Sequence, residues 1–500
     1  MLLKVIAAII IAIPLLAEQS TVSYSAKQLE TTMVGSQSCK KLKGDVVFTF
    51  QPSGMVLTAD EACKYEDQNL IEACGNVKII DKSGSTIQSG RLTYYPDKQL
   101  ATLSDNVLCQ SDQQTFHTSK LIYNVAKKRG EFLGGGKLLQ GEMSLTSVSG
   151  IYDGGKKMIF FNKEVVLKDP TFTFYGNQLS YHTKREEAIF TGDTKIVSED
   201  NVLTTQKGGS YLLPKKQLLF NFGTLTAKDM VLQADQLEIV NLQDFKAIGH
   251  VSLEMKTHAA TITGETANYA KAADKIEITG HPLLTKEVNN TTMYLRADCF
   301  KASQKVEEDG TKQGEIHALH NVKLYEKNVQ CIADGAVYNS AKKVIELQDK
   351  PIIWCSGYQI TGEGLYLSIE EEEQAKMCVS KNLFIVAEDL VGNYNQIKAN
   401  KMVASFKEGV IQQMHIEGNS ESLYFILAEN KELVGMNYIK CSNLDVTMTD
   451  NVLESMQFNT KPIGTFYPAE KLNIDQMTLT DFVWHGDKRP TQEMMAADIA

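Results

Sequence analysis

The sequence predicts an all-β protein of stacked short antiparallel strands. Three observations carry this: a unit that repeats along the chain, period-two alternation of apolar residues inside it, and no amphipathic helix of any length after the N-terminus.

The repeat shows first in its turns. A Lys-bearing turn returns at Pro96-Asp97-Lys98, Ala126-Lys127-Lys128, Gly155-Lys156-Lys157, Thr183-Lys184-Arg185 and Pro214-Lys215-Lys216. It recurs at Ala272-Ala273-Asp274-Lys275 and Ala341-Lys342-Lys343. The first five stand about 30 residues apart, within the range of repeat architectures. Later units stretch, with insertions at Glu307 to Lys312 and Glu370 to Gln374.

A second marker is a pair of Gly or polar residues leading into alternating apolar ones. Gly75-Asn76 precedes Val77 and Ile79, and Asp105-Asn106 precedes Val107 and Cys109. Gly249-His250 precedes Val251, Leu253 and Met255, and His320-Asn321 precedes Val322 and Leu324. Weaker copies start at Gly44-Asp45, Gly192-Asp193, Gly280-His281 and Gly418-Asn419. Lys78, Ser252, Glu254 and Lys323 fill the in-between positions, so one face is apolar and the other wet. Gly and Asn suit a bend before each strand because they adopt positive φ at little cost. A third marker, a short strand ending in Tyr, precedes the Lys turn, as in Leu92-Thr93-Tyr94, Leu121-Ile122-Tyr123, Leu179-Ser180-Tyr181 and Ala267-Asn268-Tyr269.

One such unit cannot bury its apolar face alone; stacked units can, and two facing sheets would enclose a continuous apolar slot. Near the C-terminus Pro462 and Pro468 do not suit central strands, and a polar stretch follows Trp484. The expected organisation is a signal peptide over 1–17, a first array over 18–305, a continuing array with insertions over 306–440, C-terminal strands and a cap over 441–490, and a flexible tail over 491–500.

The N-terminus has Lys4, an apolar run from Val5 to Leu16 broken by Pro14, then Ala17 before polar residues. This is the layout of a secretory signal peptide, with an uncleaved anchor as the alternative. With 51 basic and 61 acidic residues the net charge is -10, which gives no general electrostatic reason to bind nucleic acid. The nine cysteines are scattered without a C-x-x-C pair, so packing roles are expected for most, and a Cys63–Cys74 bridge is a further option. No H-E-x-x-H, G-x-S-x-G or Ca²⁺-loop pattern appears, and the chain reads as no enzyme, with no cofactor and no metal. His250, His281 and His320 recur at equivalent bends, where turn formation explains them better than a metal ladder.

The Gly-Asn-Val-x-Ile segments and the "ADxLxY"-type segments resemble the OstA-like family, which includes the periplasmic lipopolysaccharide-transport bridge protein LptA. The local resemblance is clearest in Cys63 to Ile80, Gln88 to Cys109 and Leu232 to Met255, and recurs over most of Gly44 to Phe425. It implies an elongated, twisted, V-shaped double sheet (a β-jellyroll or β-taco), open at its ends, that holds lipid A acyl chains between its layers. It also implies edge-strand pairing with inner- and outer-membrane lipopolysaccharide-transport proteins, or end to end with another copy. Location in the periplasm follows from the signal peptide and the resemblance together. The candidate lipid-lining residues are Val77, Ile79, Val107, Val251, Leu253, Met255, Val322 and Leu324. The competing expectation is a secreted structural or adhesive β-repeat scaffold with no lipid cargo.

Overall fold

A computed structural model describes residues 21–497 except 36, 52–53, 81–83, 112–113, 125, 183, 242, 289–290, 307–311, 370–373, 408–409, 450–451 and 474–476. The expected signal peptide and the last three residues lie outside the described residues. Strand follows strand from Thr21 to Pro468, thirty-six among the described residues, and every pairing registered between them is antiparallel. They form two compact units. The first runs to Lys228 and takes in Leu232–Gln243; the second comprises Asp229–Val231 and everything from Asp244.

In the first unit the Lys-bearing turns close hairpins between long strands, as Pro96-Asp97-Lys98 does between Thr86–Tyr95 and Leu100–Ser111; Leu70–Ile80 pairs on the other side of Thr86–Tyr95. The Gly-Asn pairs do not begin new strands, as the sequence suggests. They are bulges inside single strands: the register of Leu70–Ile80 against Thr86–Tyr95 shifts between Cys74 and Val77. Gly75 and Asn76 have φ of 75° and 44°, and Asp105 and Asn106 both 63°. Two successive left-handed residues leave the ladder locally unpaired and bend the strand sharply. Apolar residues before the bulge then line one wall and those after it a second wall.

The same left-handed pair recurs without glycine or asparagine: inside a strand at Lys163-Glu164, at 62° and 50°, and between consecutive strands at Asp349-Lys350, at 55° and 56°, and Thr460-Lys461, at 58° and 60°. Position in the repeat, not residue preference, sets the backbone there. At the corner, small polar residues turn inward and are satisfied locally. Ser89 donates to the Arg91 carbonyl at 3.0 Å, Ser147 to Ser149 at 3.2 Å and Thr194 to Gly192 at 3.2 Å.

The second unit buries more than one face. Ile352–Cys355 is buried at all four positions, where alternation would expose two. The reason is the C-terminal segment, which lies over the outer side of one wall. Directly registered partners across that side run Tyr325, Gln330, Trp354, Gln359, Val386, Gln396 and Leu423. Gln359 donates to the Val483 carbonyl at 2.8 Å and accepts from the His485 amide at 2.7 Å. Gln396 does the same with Met477 at 3.0 Å and Leu479 at 2.8 Å. Arg489 donates to the Gln330 side-chain oxygen at 2.7 Å.

Two expectations differ from the structure here. Gln492–Ala496, expected as part of a loose tail, forms a helical turn capped by the Thr491 hydroxyl. Its Met495 packs fully buried on Leu283 and Tyr294, because the wall beneath offers an apolar outer surface. The insertion at Glu307 to Lys312 is no seam between arrays. The flanking strands pair with each other from Cys299↔Leu319 to Val306↔Lys312, and the compact units divide near residue 240 instead.

Candidate acyl-chain slot

Each wall of the first unit carries an apolar stripe in direct cross-strand register. One runs Leu57, Ile79, Ile87, Cys109, Phe116, Leu138 and Leu145. The other runs Ala73, Leu92, Leu103, Leu121 and Phe132. The walls meet: the Phe116 and Phe132 rings lie edge-on at 5.1 Å, and Phe174 and Phe190 at 5.6 Å. Phe132 reaches over Gly150, where an added Cβ would collide with its ring.

Nearer the Lys turns the second wall, the one carrying Leu92, Leu103 and Leu121, bears a different row. Tyr94, Tyr123, Tyr152, Tyr181 and Tyr211 stand on every second strand, with Ala101, Gly130, Ile159 and Ala188 directly between them. Burial pushes the Tyr94 and Tyr181 hydroxyls up to about 12. Tyr123 is raised further by burial and then by the neighbouring Tyr152. The sequence picks out Tyr94, Tyr123 and Tyr181 as strand ends but passes over Tyr152, whose strand Ser149–Asp153 lacks a leading leucine.

Of the sequence candidates, Val77, Ile79, Val107, Val251, Leu253 and Val322 are buried and face inward; Met255 and Leu324 are half-buried. They fall in two groups. Val77, Ile79 and Val107 belong to the first unit and the other five to the second. Within the second unit, Leu253, Ile262, Leu284, Leu295, Leu324 and Cys331 form one registered stripe.

Among the described residues, the side chains on both interiors are closely buried. The cavity between Leu57, Ile79, Leu92 and Tyr94 measures about 20 Å³, and one beside Ile385, Ile397 and Met414 about 50 Å³. Such spaces hold a water molecule or two. Two larger clefts lie outside the stripes. One of about 840 Å³ lies along the bulges by Glu164, Asp193, Lys207 and Phe222. Another of about 730 Å³ lies by His250, His281, Arg296 and Asp298. There His281 sits 3.2 Å from Asp298, which also accepts from Asn321 at 2.7 Å. His320 pairs instead with Asp334 at 3.2 Å. The three bend histidines therefore have carboxylate or other local partners, and no group of three metal-ligating side chains gathers among the described residues.

All nine thiols are free. Cys63 neighbours Cys39 rather than Cys74, and burial, then that contact, raises the Cys39 thiol to about 12. The outer edge of the first unit is formed by Thr21–Ser25 and Gln28–Val34, which both pair with Gln37–Gln51. Leu29, Met33 and Val34 on that edge are exposed.

No curated protein matches the chain. Among solved structures it is similar to LptH from Pseudomonas aeruginosa, described as the LptA-homologous periplasmic component of the conserved lipopolysaccharide transport device. The likeness has 19% identity and a TM-score of 0.19, over 22% of this chain and 79% of that one. The model of the OstA-like protein family matches residues 21–177 and again 149–235. Together these two matches span residues 21 to 235, less than half of the chain.

Proposed function

We propose that the chain is a periplasmic lipopolysaccharide-transport component, not an enzyme, that shields lipid A acyl chains between its walls on the way to the outer membrane. The observation that carries this reading is the pair of unbroken apolar stripes on facing walls of an OstA-like array. Moving hydrocarbon across water requires a surface of that kind. At about 0.8 kcal/mol per buried CH₂, sheltering one chain of about twelve carbons is worth on the order of 9 kcal/mol. Exposed sugar and phosphate need no such shelter, so the acidic net charge is no obstacle.

The closely buried interior sets the mechanism. A cavity of about 20 Å³ cannot admit a chain, so the walls part and side-chain contacts across the slot are exchanged for contacts with lipid. Corner bulges serve as the hinge and the Lys turns as the moving rim. At the outer edge of the first unit, Thr21–Ser25 and Gln28–Val34 offer backbone groups that are unpaired among the described residues, and apolar side chains, to a neighbouring transport protein or another copy by strand addition.

The same closely buried interior also favours a second reading, a β-repeat scaffold without cargo. A photo-crosslinking residue at Ile79 or Leu253, in cells making lipopolysaccharide, separates the two. The carrier reading expects adducts carrying lipopolysaccharide. Adducts to protein alone, from a well-expressed chain, would leave the scaffold.

A further inference from the structure

The slot of the first unit contains two kinds of buried hydroxyl, and only one is satisfied. At the corner, Ser89, Thr118 and Ser147 each donate to a carbonyl of the bulge beside them. Along the rim, the hydroxyls of Tyr123, Tyr152 and Tyr181 are sealed from solvent and have no hydrogen-bond partner among the described residues. These side chains are 0%, 1% and 0% exposed. All three occupy the same place in successive repeats, in direct register through Gly130 and Ile159. A single orphan hydroxyl is an accident of packing; three in one row, in a slot that satisfies its other hydroxyls, are donors awaiting an acceptor.

We infer that the Tyr123–Tyr152–Tyr181 row recognises the carbonyls that join acyl chains to an anionic lipid headgroup. The inference rests on the carrier reading and adds where in the slot the cargo's polar linkage sits. The chemistry follows from position. Deeper than the row lie only apolar residues and the satisfied corner; outward of it come the turns with Lys127, Lys128, Lys156, Lys157 and Lys184. A ligand matching that order has hydrocarbon innermost, acceptors next, and phosphate or sugar in water. Ester and amide carbonyls accept but do not donate, which suits phenols kept protonated by burial. Spacing on alternate strands places successive donors about 10 Å apart, so neighbouring tyrosines would serve different chains, or one linkage at successive stations.

The test uses the full chain and a variant with Tyr123→Phe, Tyr152→Phe and Tyr181→Phe together. Binding is measured for purified lipid A and for a synthetic counterpart in which alkyl ethers replace the ester and amide linkages. The unaltered chain should hold lipid A at least about tenfold more tightly than the ether compound, and the variant should hold both at the weaker level. Equal binding of lipid A by both proteins would overturn the tyrosine assignment while leaving the carrier reading intact. No binding of either lipid by the unaltered chain would remove both. Without lipid, the variant should melt no lower than the parent, because no bond is lost. A lowered midpoint would mean the hydroxyls have protein partners, and would overturn the inference on its own.

Discussion

At Gly75 the left-handed backbone of the bulge meets a crowded neighbour. Its φ is 75°, and an added Cβ would strike the Asp60 carboxylate, which also accepts from Asn76 at 2.9 Å. Gly84 has a similar φ of 83° but open space around it. Gly75→Ala should therefore cost about 1–2 kcal/mol for the backbone alone, with the Asp60 contact on top, and Gly84→Ala only the first part. Urea denaturation of the two variants reads the difference; equal losses would show that Asp60 yields freely. His415 makes a second test. It lies 2.5 Å from Asp445 and 2.8 Å from Glu417, and these two hydrogen bonds raise its pKa above the usual 6.5. A raised histidine gives stability that is complete below the unfolded value and fades as pH climbs through the folded one. His415→Gln should thus lower the melting temperature at pH 5.5 and little at pH 9, and a loss that grew with pH would contradict the pairing.

At the scale of elements, the strands and hairpins were legible because period two and the Lys turns are local signals. The corner was half legible. Gly75-Asn76 announces positive φ, whereas Lys163-Glu164 and Asp349-Lys350 adopt it only because adjacent bulges leave no other register. The C-terminal strap was not legible at all. Its partners Gln330, Gln359 and Gln396 sit at alternating positions where the sequence predicts a wet face, and nothing local marks a glutamine that another segment will bury. Each of Gln359 and Gln396 imitates a strand neighbour, giving an N–H and an oxygen to a backbone pair two residues apart. Removing one leaves a strap amide and carbonyl buried without partners. Gln396→Ala should cost about 1–3 kcal/mol, and should speed proteolysis within Met477 to Arg489. Unchanged protease resistance would mean that the apolar contacts of Leu479, Phe482 and Trp484 hold the strap unaided. Tyr123 and Tyr181 were legible as strand ends and Tyr152 was not, and the unsatisfied hydroxyls of all three depend on what faces them across the slot, which no single segment encodes.

For the whole molecule, the order of pairing decides how it comes apart. In a stacked array each strand contacts its sequence neighbours, so stability is a sum of local terms and all-or-none unfolding is not required. The strap breaks that rule within the second unit. It ties the strand bearing Gln396 to those bearing Gln359, Gln330 and Arg296, joining residues up to 199 positions apart. Such long-range closure makes the strapped strands lose structure together. The two tryptophans, Trp354 under the strap and Trp484 on it, report on that unit alone, while far-ultraviolet circular dichroism reports on strands of both. In urea, tryptophan fluorescence should therefore change in one steep step at higher denaturant than the broader dichroism transition. In Gln396→Ala the fluorescence step should move to lower urea and broaden. Superimposable curves from the two probes in the unaltered chain would mean that both units unfold as a single cooperative body, and the nearest-neighbour account of this array would then have to be given up.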